Sequence, residues 1–415
     1  MSSPISASIN TVHPLTLSHG RNAHVWDCEG RQYIDFIGGI GVLNLGHCHE
    51  QVVAAITEQA QKLTHYCFNA VPHAPYRELM TALAEYLPLD YPAAGMLTNS
   101  GAEAAENALK MVRAATGRSA VIAFDGGFHG RTLATLNLNG KVAPYKQKVG
   151  VLPGPVFHVP YPSADTGVSA AEGIQAIERL FSVEIEASEV ACVIFEAVQG
   201  EGGFLSMDAA FAQALRALCD RHGILLIADE IQSGFGRSGQ PFAFTRLGIQ
   251  PDLVLLGKSI AGGLPLGAVL GREAIVGSLP KGGLGGTYSG NPIACAAALA
   301  SLQVLSEANI QAWGQAQQRA LEQRFQRWQD NALSPYLERL TGVGAMRGIE
   351  LSDGKGGPGT AQLAALLQAA RERGLLLMPS GKYRHIVRLL APLTIEAQTF
   401  EQGLDIIEAC LAELS

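Results

Sequence analysis

The chain has 415 residues and a formal net charge of −7 at pH 7, with 47% hydrophobic and 16% charged residues. This composition excludes a disordered chain, because it supplies enough apolar surface for a large core. Acidic and basic residues are mixed along the chain. The sequence therefore lacks the clusters of positive charge with which proteins bind nucleic acids and anionic membranes.

The N-terminus and the cysteines give no indication of export. The first residues, MSSPISASINTVHP, lack the basic region and apolar run of a secretory signal. The seven cysteines are scattered, without metal-finger spacing, which is typical of reduced thiols. His47 and His49 have no third ligand nearby in the sequence, so we predict no metal site. We therefore expect a cytoplasmic protein with neither a membrane nor a nucleic-acid partner.

The chain begins with a predicted β-hairpin that two helices follow. The β-rich runs AHVWD and RQYIDF flank Glu29 and Gly30, a pair of residues that favours a turn. Val, Ala, Ile and Leu then recur at helical spacing over Glu50–Lys62 and over Pro75–Tyr86.

From about residue 95, predicted strands alternate with predicted helices. The strands are GMLTNS, AVIAFDG, ACVIFEAVQ, ILLIADE and DLVLLGK, and helical runs such as AEAAENALKMVRAAT and FAQALRALCDRHG lie between them. Short, continuous and β-branched apolar runs are typical of strands that are buried on both faces of a parallel sheet. The pattern predicts an open α/β fold whose ligand lies beyond the carboxyl ends of the strands.

The C-terminal part reads as a smaller α+β domain. A long helical stretch runs from about Pro292 to the low 330s, and the strand-like runs GAMRGIELS, GLLLMPS and HIVRLLAPL follow, with helices at Ala361–Glu372 and Glu396–Leu414. We predict an N-terminal segment, 1–50, that packs with the small domain, a large domain, 51–305, and the small domain, 306–415.

Two segments offer groups for an anionic, flat ligand. In NSGAEAAENALK, a small-residue turn opens a helix, and Gly101 allows a phosphate to approach the free backbone N–H groups. In FDGGFHGRT, Phe128 offers a face for stacking and Arg131 a guanidinium for a carboxylate. Each segment alone is equally compatible with an ordinary helix cap or a surface turn.

Two further segments place charged groups at strand ends. Asp229 directly follows the apolar run ILLIA. Lys258 directly follows Gly257, the last residue of the run DLVLLG. The two residues are separated by about 30 positions, the length of one βαβ unit, so they can lie on strands of one sheet. A desolvated lysine is a nucleophilic amine, and a carboxylate can pair with a pyridinium nitrogen. Together with the phosphate and stacking groups, they predict a site for pyridoxal phosphate.

The sequence resembles the class III pyridoxal-phosphate aminotransferases of fold type I, within them the bacterial 4-aminobutyrate and 5-aminovalerate aminotransferases. The resemblance extends from about Asn22 to the C-terminus. It is carried by the stretches FIGGIGVLNLGH, FDGGFHGRT, VQGEGGF, RALCDRHGILLIADEIQSG, GKSIAGGLPLGAV, GGLGGTYSGNPIAC and IVRLLAPLTI. It departs from the usual pattern at Glu50, Ala102 and Ala197, which leaves the preferred substrate length open.

The resemblance implies a large domain with a mostly parallel sheet between helices, a smaller α+β domain and a role for each matching residue. Lys258 would form the Schiff base with the cofactor and Asp229 would pair with the ring nitrogen. The other residues implied to contact the cofactor are Gly101, Ala102, Phe128, Ile231, Gln232 and, from the neighbouring subunit, Thr287. The residues implied to contact the substrate are Ile40, Arg131, Glu201 and Arg388, with Glu201 neutralising Arg388 when the amino donor has no α-carboxylate.

The activity implied is transamination of an ω-amino acid, 4-aminobutyrate or 5-aminovalerate, with 2-oxoglutarate as acceptor. The expected assembly is a homodimer or a dimer of dimers with shared active sites. An acetylornithine- or ornithine-type aminotransferase and an amino-acid racemase or epimerase on the same fold are the alternatives. A cofactor-binding regulator and a nicotinamide dehydrogenase are disfavoured, because the chain shows neither a DNA-binding segment before Asn22 nor a suitable G-x-G-x-x-G helix start.

Overall fold

Four β-sheets provide the framework of residues 4–414, the part of the chain that the computed structural model describes. The strands in chain order are β1 (Leu17–Arg21), β2 (His24–Asp27), β3 (Gln32–Asp35), β4 (Ala93–Thr98), β5 (Ala120–Phe124), β6 (Val156–Val159), β7 (Val190–Phe195), β8 (Val198–Gln199), β9 (Leu205–Ser206), β10 (Leu225–Asp229), β11 (Leu253–Leu256), β12 (Gly267–Arg272), β13 (Leu337–Val343), β14 (Met346–Leu351), β15 (Leu375–Leu376), β16 (Met378–Ser380) and β17 (Ile386–Leu389).

Helices connect and cover these sheets. They are α1 (Gly38–Gly41), α2 (Glu50–Lys62), α3 (Ala74–Tyr86), α4 (Gly101–Thr116), α5 (Leu133–Leu138), α6 (Ala170–Val183), α7 (Ala209–His222), α8 (Glu273–Val276), α9 (Pro292–Val304), α10 (Glu307–Asp330), α11 (Thr360–Glu372) and α12 (Ala397–Ala412). Short 3₁₀ turns lie at Ala187–Glu189, Ala243–Leu247 and Lys258–Ala261. No single helix in the described part of the chain is long and apolar enough to span a membrane, and only the bent pair α9 and α10 meets the length and composition criteria jointly.

The central sheet has seven strands in the order β4-β12-β11-β10-β7-β5-β6. Five neighbouring strands, β11, β10, β7, β5 and β6, pair in parallel, whereas β12 pairs antiparallel with both β11 and β4. The predicted large, mostly parallel sheet between helices is therefore confirmed. Two of its strands, β6 and β12, were not predicted from the sequence.

The carboxyl ends of the parallel strands bring distant residues to one edge. β10 and β11 are neighbours, with Asp229 in register with Leu255. Asp229 is the last residue of β10, and Lys258 lies two residues beyond the end of β11. The side chains of β7 and of β11 are wholly buried, as expected for the middle of a sheet that is covered on both faces.

A second core lies in the C-terminal part. The antiparallel sheet β13-β14-β17-β16 packs with α10, α11 and α12 around buried residues such as Leu366, Val387 and Leu404. Ile34 and Phe36 of the N-terminal segment belong to the same apolar cluster, and β15 pairs in parallel with β3. The domain limits at residues 50 and 305 stay predictions.

Two predicted elements differ in the structure. The helical stretch from Pro292 is two helices bent by 72°, because the Ser306 side chain accepts a hydrogen bond from the N–H of Asn309 and starts α10 anew. The run GLLLMPS is not one strand but two, β15 and β16, which pair with different sheets on either side of Leu377. Strand pairing depends on distant neighbours, which apolar periodicity along the chain does not identify.

Candidate active site

A cavity of about 470 Å³ opens at the carboxyl edge of the central sheet. Its walls come from the segments after β4, β5, β7, β10 and β11 and from the N-terminal segment. Strands β16 and β17 of the C-terminal antiparallel sheet, called the small sheet below, complete the walls. Eleven of the predicted site residues line it, namely Ile40, Gly101, Ala102, Phe128, Arg131, Glu201, Asp229, Ile231, Gln232, Lys258 and Arg388. Residues that are far apart in sequence therefore meet in one space of the size that small-molecule sites have.

Lys258 occupies an unusual backbone position at the floor of the cavity. Its φ is +45°, in the left-handed region that non-glycine residues rarely adopt. Burial lowers the pKa of its ammonium group, although the nearby carboxylates of Asp229 and Glu196 oppose this. The backbone thus directs an amine into the cavity, and its surroundings favour the neutral, nucleophilic form.

Asp229 is held rigidly beside it. Its side chain is 4% exposed, and one carboxylate oxygen accepts the N–H of Ile231 at 3.0 Å. The other oxygen lies 2.7 Å from Nδ1 of His129, which is itself buried. Burial alone would lower the pKa of His129, but the hydrogen bond and the charge of Asp229 outweigh it and the pKa is raised. The contact with Asp229 therefore favours the protonated imidazole.

Glu196 is a second buried carboxyl group in this wall. It accepts backbone N–H groups from Phe128 at 3.0 Å and from Gly200 at 3.1 Å. Burial raises its pKa to about 7, and the charge of His129 partly opposes the rise. Neither His129 nor Glu196 was assigned to the site from sequence. The imidazole in FDGGFHGRT and the carboxylate in FEAVQ, directly after an apolar strand, were the available signals.

The start of α4 forms the end of the cavity nearest β4. Ser100 caps this helix, its hydroxyl accepting the N–H of Glu103 at 3.2 Å, and Gly101 and Ala102 are the first helical residues. A Cβ atom on Gly101 would lie 2.7 Å from Cδ1 of Ile231, so a larger residue there would push against that side chain. Free N–H groups at a helix N-terminus suit a phosphate group.

Gln232 supplies an unsatisfied polar atom. Its Oε1 is buried and has no hydrogen-bond partner among residues 4–414. A Cβ on Gly200 would lie 1.9 Å from this oxygen, so glycine at that position keeps the space beside it open. Buried polar atoms in native structures rarely lack a partner, and a ligand with polar ring substituents would supply one. The buried amine, the carboxylate, the helix start and this amide together fit a phosphorylated pyridine ring.

The opposite wall carries the arginines. Arg388, on β17, is buried, and its Nε donates to the carbonyl of Pro379 at 3.1 Å. Its Nη2 donates to Oε2 of Glu201, and Oε1 of the same carboxylate accepts the hydroxyl of Tyr145 at 2.6 Å. Burial, reinforced by the charge of Glu201, raises the pKa of Tyr145. The tyrosine therefore stays a hydrogen-bond donor.

Arg131 lies at the more exposed mouth of the cavity. Its guanidinium carbon is 4.8 Å from the ring centre of Tyr145, close enough for a cation–π contact. The ring of Phe128 is 5.0 Å from the same tyrosine ring. Ile40, with a φ of +65°, completes the mouth. Tyr145, which sequence reasoning missed, thus contacts both the Arg131 side and the Arg388 side.

Thr287 is the predicted site residue that does not line this cavity. It is exposed on the loop after Gly286, which is anchored where Asn69 donates to the carbonyl of Leu284 at 3.1 Å. Its expected contact lies in a neighbouring subunit, so this role and the homodimer stay predictions.

Comparison with known proteins identifies the family. The family model for aminotransferase class-III matches residues 5–411. The chain belongs to the class-III aminotransferases. A PLP-bound amine transaminase from an uncultivated Pseudomonas species superposes with a TM-score of 0.89 at 28% identity, covering 100% of this chain and 99% of that one. The cofactor of this class-III aminotransferase is pyridoxal 5′-phosphate, as its cavity and its family both indicate.

Curated relatives differ in the substrates that their names state. A 2-aminoadipate transaminase from Pseudomonas putida is 69% identical over 99% of both chains. A 5-aminovalerate aminotransferase from Pseudomonas aeruginosa is 45% identical over 99% of this chain and 96% of the relative. A 4-aminobutyrate aminotransferase from Escherichia coli is also 45% identical, over 99% and 97%. The reaction class is therefore shared, whereas the amino donor varies among relatives of this class-III aminotransferase.

Proposed function

We propose that the protein transfers the amino group of 2-aminoadipate to 2-oxoglutarate, giving 2-oxoadipate and glutamate. The observation that carries this proposal is the presence of two arginines, Arg131 and Arg388, on the walls of one cavity. 2-Aminoadipate and glutamate both have an α-carboxylate and a distal carboxylate and differ by one methylene group. The 69% identity to a 2-aminoadipate transaminase supports the choice of this donor.

A second candidate activity is the transamination of ω-amino acids, 4-aminobutyrate or 5-aminovalerate, which the sequence resemblance implies. The Arg388–Glu201 ion pair favours it, because a donor without an α-carboxylate leaves Arg388 in need of another counter-charge. The two activities use the same cavity and differ only in whether Glu201 or the substrate neutralises Arg388.

In the proposed site, the residues of the sheet edge hold the cofactor. Lys258 would bind its aldehyde carbon, Asp229 would face the ring nitrogen, and the N–H groups of Gly101 and Ala102 would bind the phosphate. Phe128 and Ile231 would enclose the ring, and Gln232 would serve its hydroxyl group. When bound, the cofactor withdraws electrons from the amine-bearing carbon of the substrate.

The protein's own contribution to the chemical step is proton transfer and charge placement. The Nζ atom of Lys258 accepts the proton from the amine-bearing carbon, which its neutral form permits because burial lowers the pKa of this amine. His129 orients the Asp229 carboxylate through the 2.7 Å contact. Arg131 and Arg388 orient the substrate by its two carboxylates, which bind guanidinium groups in a defined plane.

The test compares donors in single half-reactions. The visible absorption of the lysine-bound cofactor should be lost on addition of 2-aminoadipate and should return with 2-oxoglutarate. Arg388→Ala should lower the efficiency of the 2-aminoadipate and glutamate half-reactions about 100-fold, because a buried charge partner is removed. It should lower the efficiency of the 4-aminobutyrate half-reaction much less, by about tenfold at most, because there only the partner of the Glu201 carboxylate is lost.

Lys382→Ala is the matched control, since it removes an exposed positive charge from the loop before β17 without lining the cavity. It should leave both classes of donor unchanged. Equal damage by Arg388→Ala to both classes would refute the assignment of Arg388 to the α-carboxylate. No spectral response to 2-aminoadipate, with a response to 5-aminovalerate, would replace the first activity by the second.

A further inference from the structure

The carboxylate of Glu201 has to change partners if one cavity serves both classes of donor. Its side chain is only 16% exposed, and it lies between the Arg388 guanidinium and the Tyr145 hydroxyl. A substrate α-carboxylate that binds Arg388 displaces this contact. A mostly buried carboxylate that loses its cation and gains none is strongly destabilised. The structure should therefore contain a second positive group within reach of Glu201.

Lys141 is the group with the right position. Its Nζ donates to the carbonyl of Gly381 at 3.1 Å, and the N–H of Gly381 donates to the backbone carbonyl of Glu201 at 3.1 Å. Gly381 thus binds both the amine of Lys141 and the main chain of Glu201. Tyr145, which already binds the Glu201 carboxylate, lies four residues further along the same segment as Lys141.

The charge on Lys141 is not otherwise used. No ion pair of Lys141 with a carboxylate occurs in the described range 4–414, where its ammonium contacts a neutral carbonyl oxygen. Burial lowers the pKa of Lys141, the charge of Glu201 opposes this, and the charges of Arg384 and Arg388 add to it. A carboxylate that moves from Arg388 toward this amine would relieve both the desolvation and the repulsion.

We infer that Lys141 is the second counter-charge of Glu201, which binds it, with the Tyr145 hydroxyl retained, whenever a substrate α-carboxylate occupies Arg388. This inference rests on the proposed function, since it assumes that Glu201 and the substrate compete for Arg388. Lys141 is then a positioning residue that sets the preference between the two classes of substrate. It stabilises the arrangement that accepts 2-aminoadipate, glutamate and their oxo acids, and it has no part in the arrangement that accepts ω-amino acids.

The decisive variant is Lys141→Met, which removes the charge and keeps an unbranched side chain. It should lower the efficiency of the 2-aminoadipate and glutamate half-reactions about tenfold, mainly through a higher apparent Kd, because coupling between two binding events typically changes an affinity by about 5- to 150-fold. The 4-aminobutyrate half-reaction should change by less than twofold. Lys141→Arg should restore most of the loss, since it restores the charge.

Lys146→Met is the matched control. Lys146 lies on the same segment, and burial also lowers its pKa, but its ammonium donates to the carbonyl of Asn137 at 3.2 Å and has no link to Glu201 through Gly381. It should affect neither class of donor. An equal loss for both donor classes in Lys141→Met, or no loss for either, would overturn the inference.

A binding experiment without chemistry gives an independent readout. Glutarate has two carboxylates and no amine, whereas pentanoate has one carboxylate. Calorimetric titration of the holoenzyme should show that Lys141→Met weakens glutarate binding about tenfold and leaves pentanoate binding unchanged. If Arg388→Ala fails to remove the preference for glutarate over pentanoate, the proposed function is wrong. If Arg388→Ala removes it and Lys141→Met has no effect, the inference alone is wrong.

Discussion

The two sides of the cavity differ in the groups that hold their carboxylates in place. The cofactor side, which we propose holds the ring, consists of groups at the edge of the central sheet, and its titratable members are Lys258, Asp229, His129 and Glu196. The substrate side consists of groups on loops and on the small sheet, and its polar members are Arg131, Tyr145, Glu201 and Arg388. Each cofactor-side carboxylate accepts at least one backbone N–H, whereas the carboxylate of Glu201 is bound through side chains alone.

This difference shows how one cavity combines a fixed reaction with variable substrates. The backbone N–H donors of Asp229 and Glu196 lie in the short segments that follow strands, so the main chain itself fixes the geometry of these two carboxylates. Side-chain partners such as Arg388 and Tyr145 can be exchanged at the cost of rotamer changes only. Changes on the cofactor side should therefore affect every donor equally, and changes on the substrate side should affect one class of donor.

The largest effect is expected for Lys258→Ala. Loss of the amine would remove the proposed attachment point of the cofactor and the proposed proton-transfer group, so turnover should fall to background for every donor. The cofactor should still bind without the absorption shift of the lysine-bound form. Steady-state assays and absorption spectra check this. Measurable turnover with any one donor would contradict the expectation that a change on the cofactor side affects every donor equally.

A smaller but still uniform effect is expected for Asp229→Asn. The amide cannot carry the negative charge that would face the ring nitrogen and that stabilises a protonated His129. Half-reaction rates should fall about 100-fold or more, since one preorganised charge is worth a few kcal/mol at such sites. The ratio of the rates for 2-aminoadipate and 4-aminobutyrate should not change. A shift in that ratio would show that the two sides are not independent.

A selective effect is expected for Glu201→Gln. Without its negative charge, Arg388 has no counter-ion when a donor lacks an α-carboxylate. The efficiency with 4-aminobutyrate should fall about tenfold, while that with 2-aminoadipate should stay equal or rise. Single-turnover kinetics with both donors measures the ratio. A tenfold loss for both donors would show that Glu201, like the cofactor-side residues, affects every donor equally.

The smallest effect concerns pH and the His129–Asp229 pair. Because the pKa of His129 is raised in the folded protein, the protonated pair contributes stability that is complete below the ordinary histidine pKa near 6.5 and is lost as the pH rises through the raised value. The free energy of unfolding of the holoenzyme should therefore exceed that of His129→Gln by more at pH 6 than at pH 9. Urea denaturation measures this, and a difference that is independent of pH would contradict it.

Local sequence patterns predicted the residues of the site better than their partners. The helix over Glu50–Lys62 and the strands ending near Asp229 and before Lys258 follow directly from apolar periodicity. His129, Glu196 and Tyr145 were missed because their importance depends on contacts with residues 100, 68 and 56 positions away. Strand β12 was missed because only its antiparallel place between β11 and β4 makes it part of the central sheet.

The sequence by itself determined which functional groups are available. These are an amine and a carboxylate at strand ends, a glycine at a helix start, and a set of motifs that resembles one aminotransferase class. Only the tertiary structure decided how these groups are paired. Asp229 faces His129, Glu201 joins Arg388 to Tyr145, and Lys141 approaches Glu201 through Gly381. The physical reason is that strand ends and helix starts are local properties of the chain, whereas the partner of a buried charge depends on which distant segments the fold brings within a few ångströms of it.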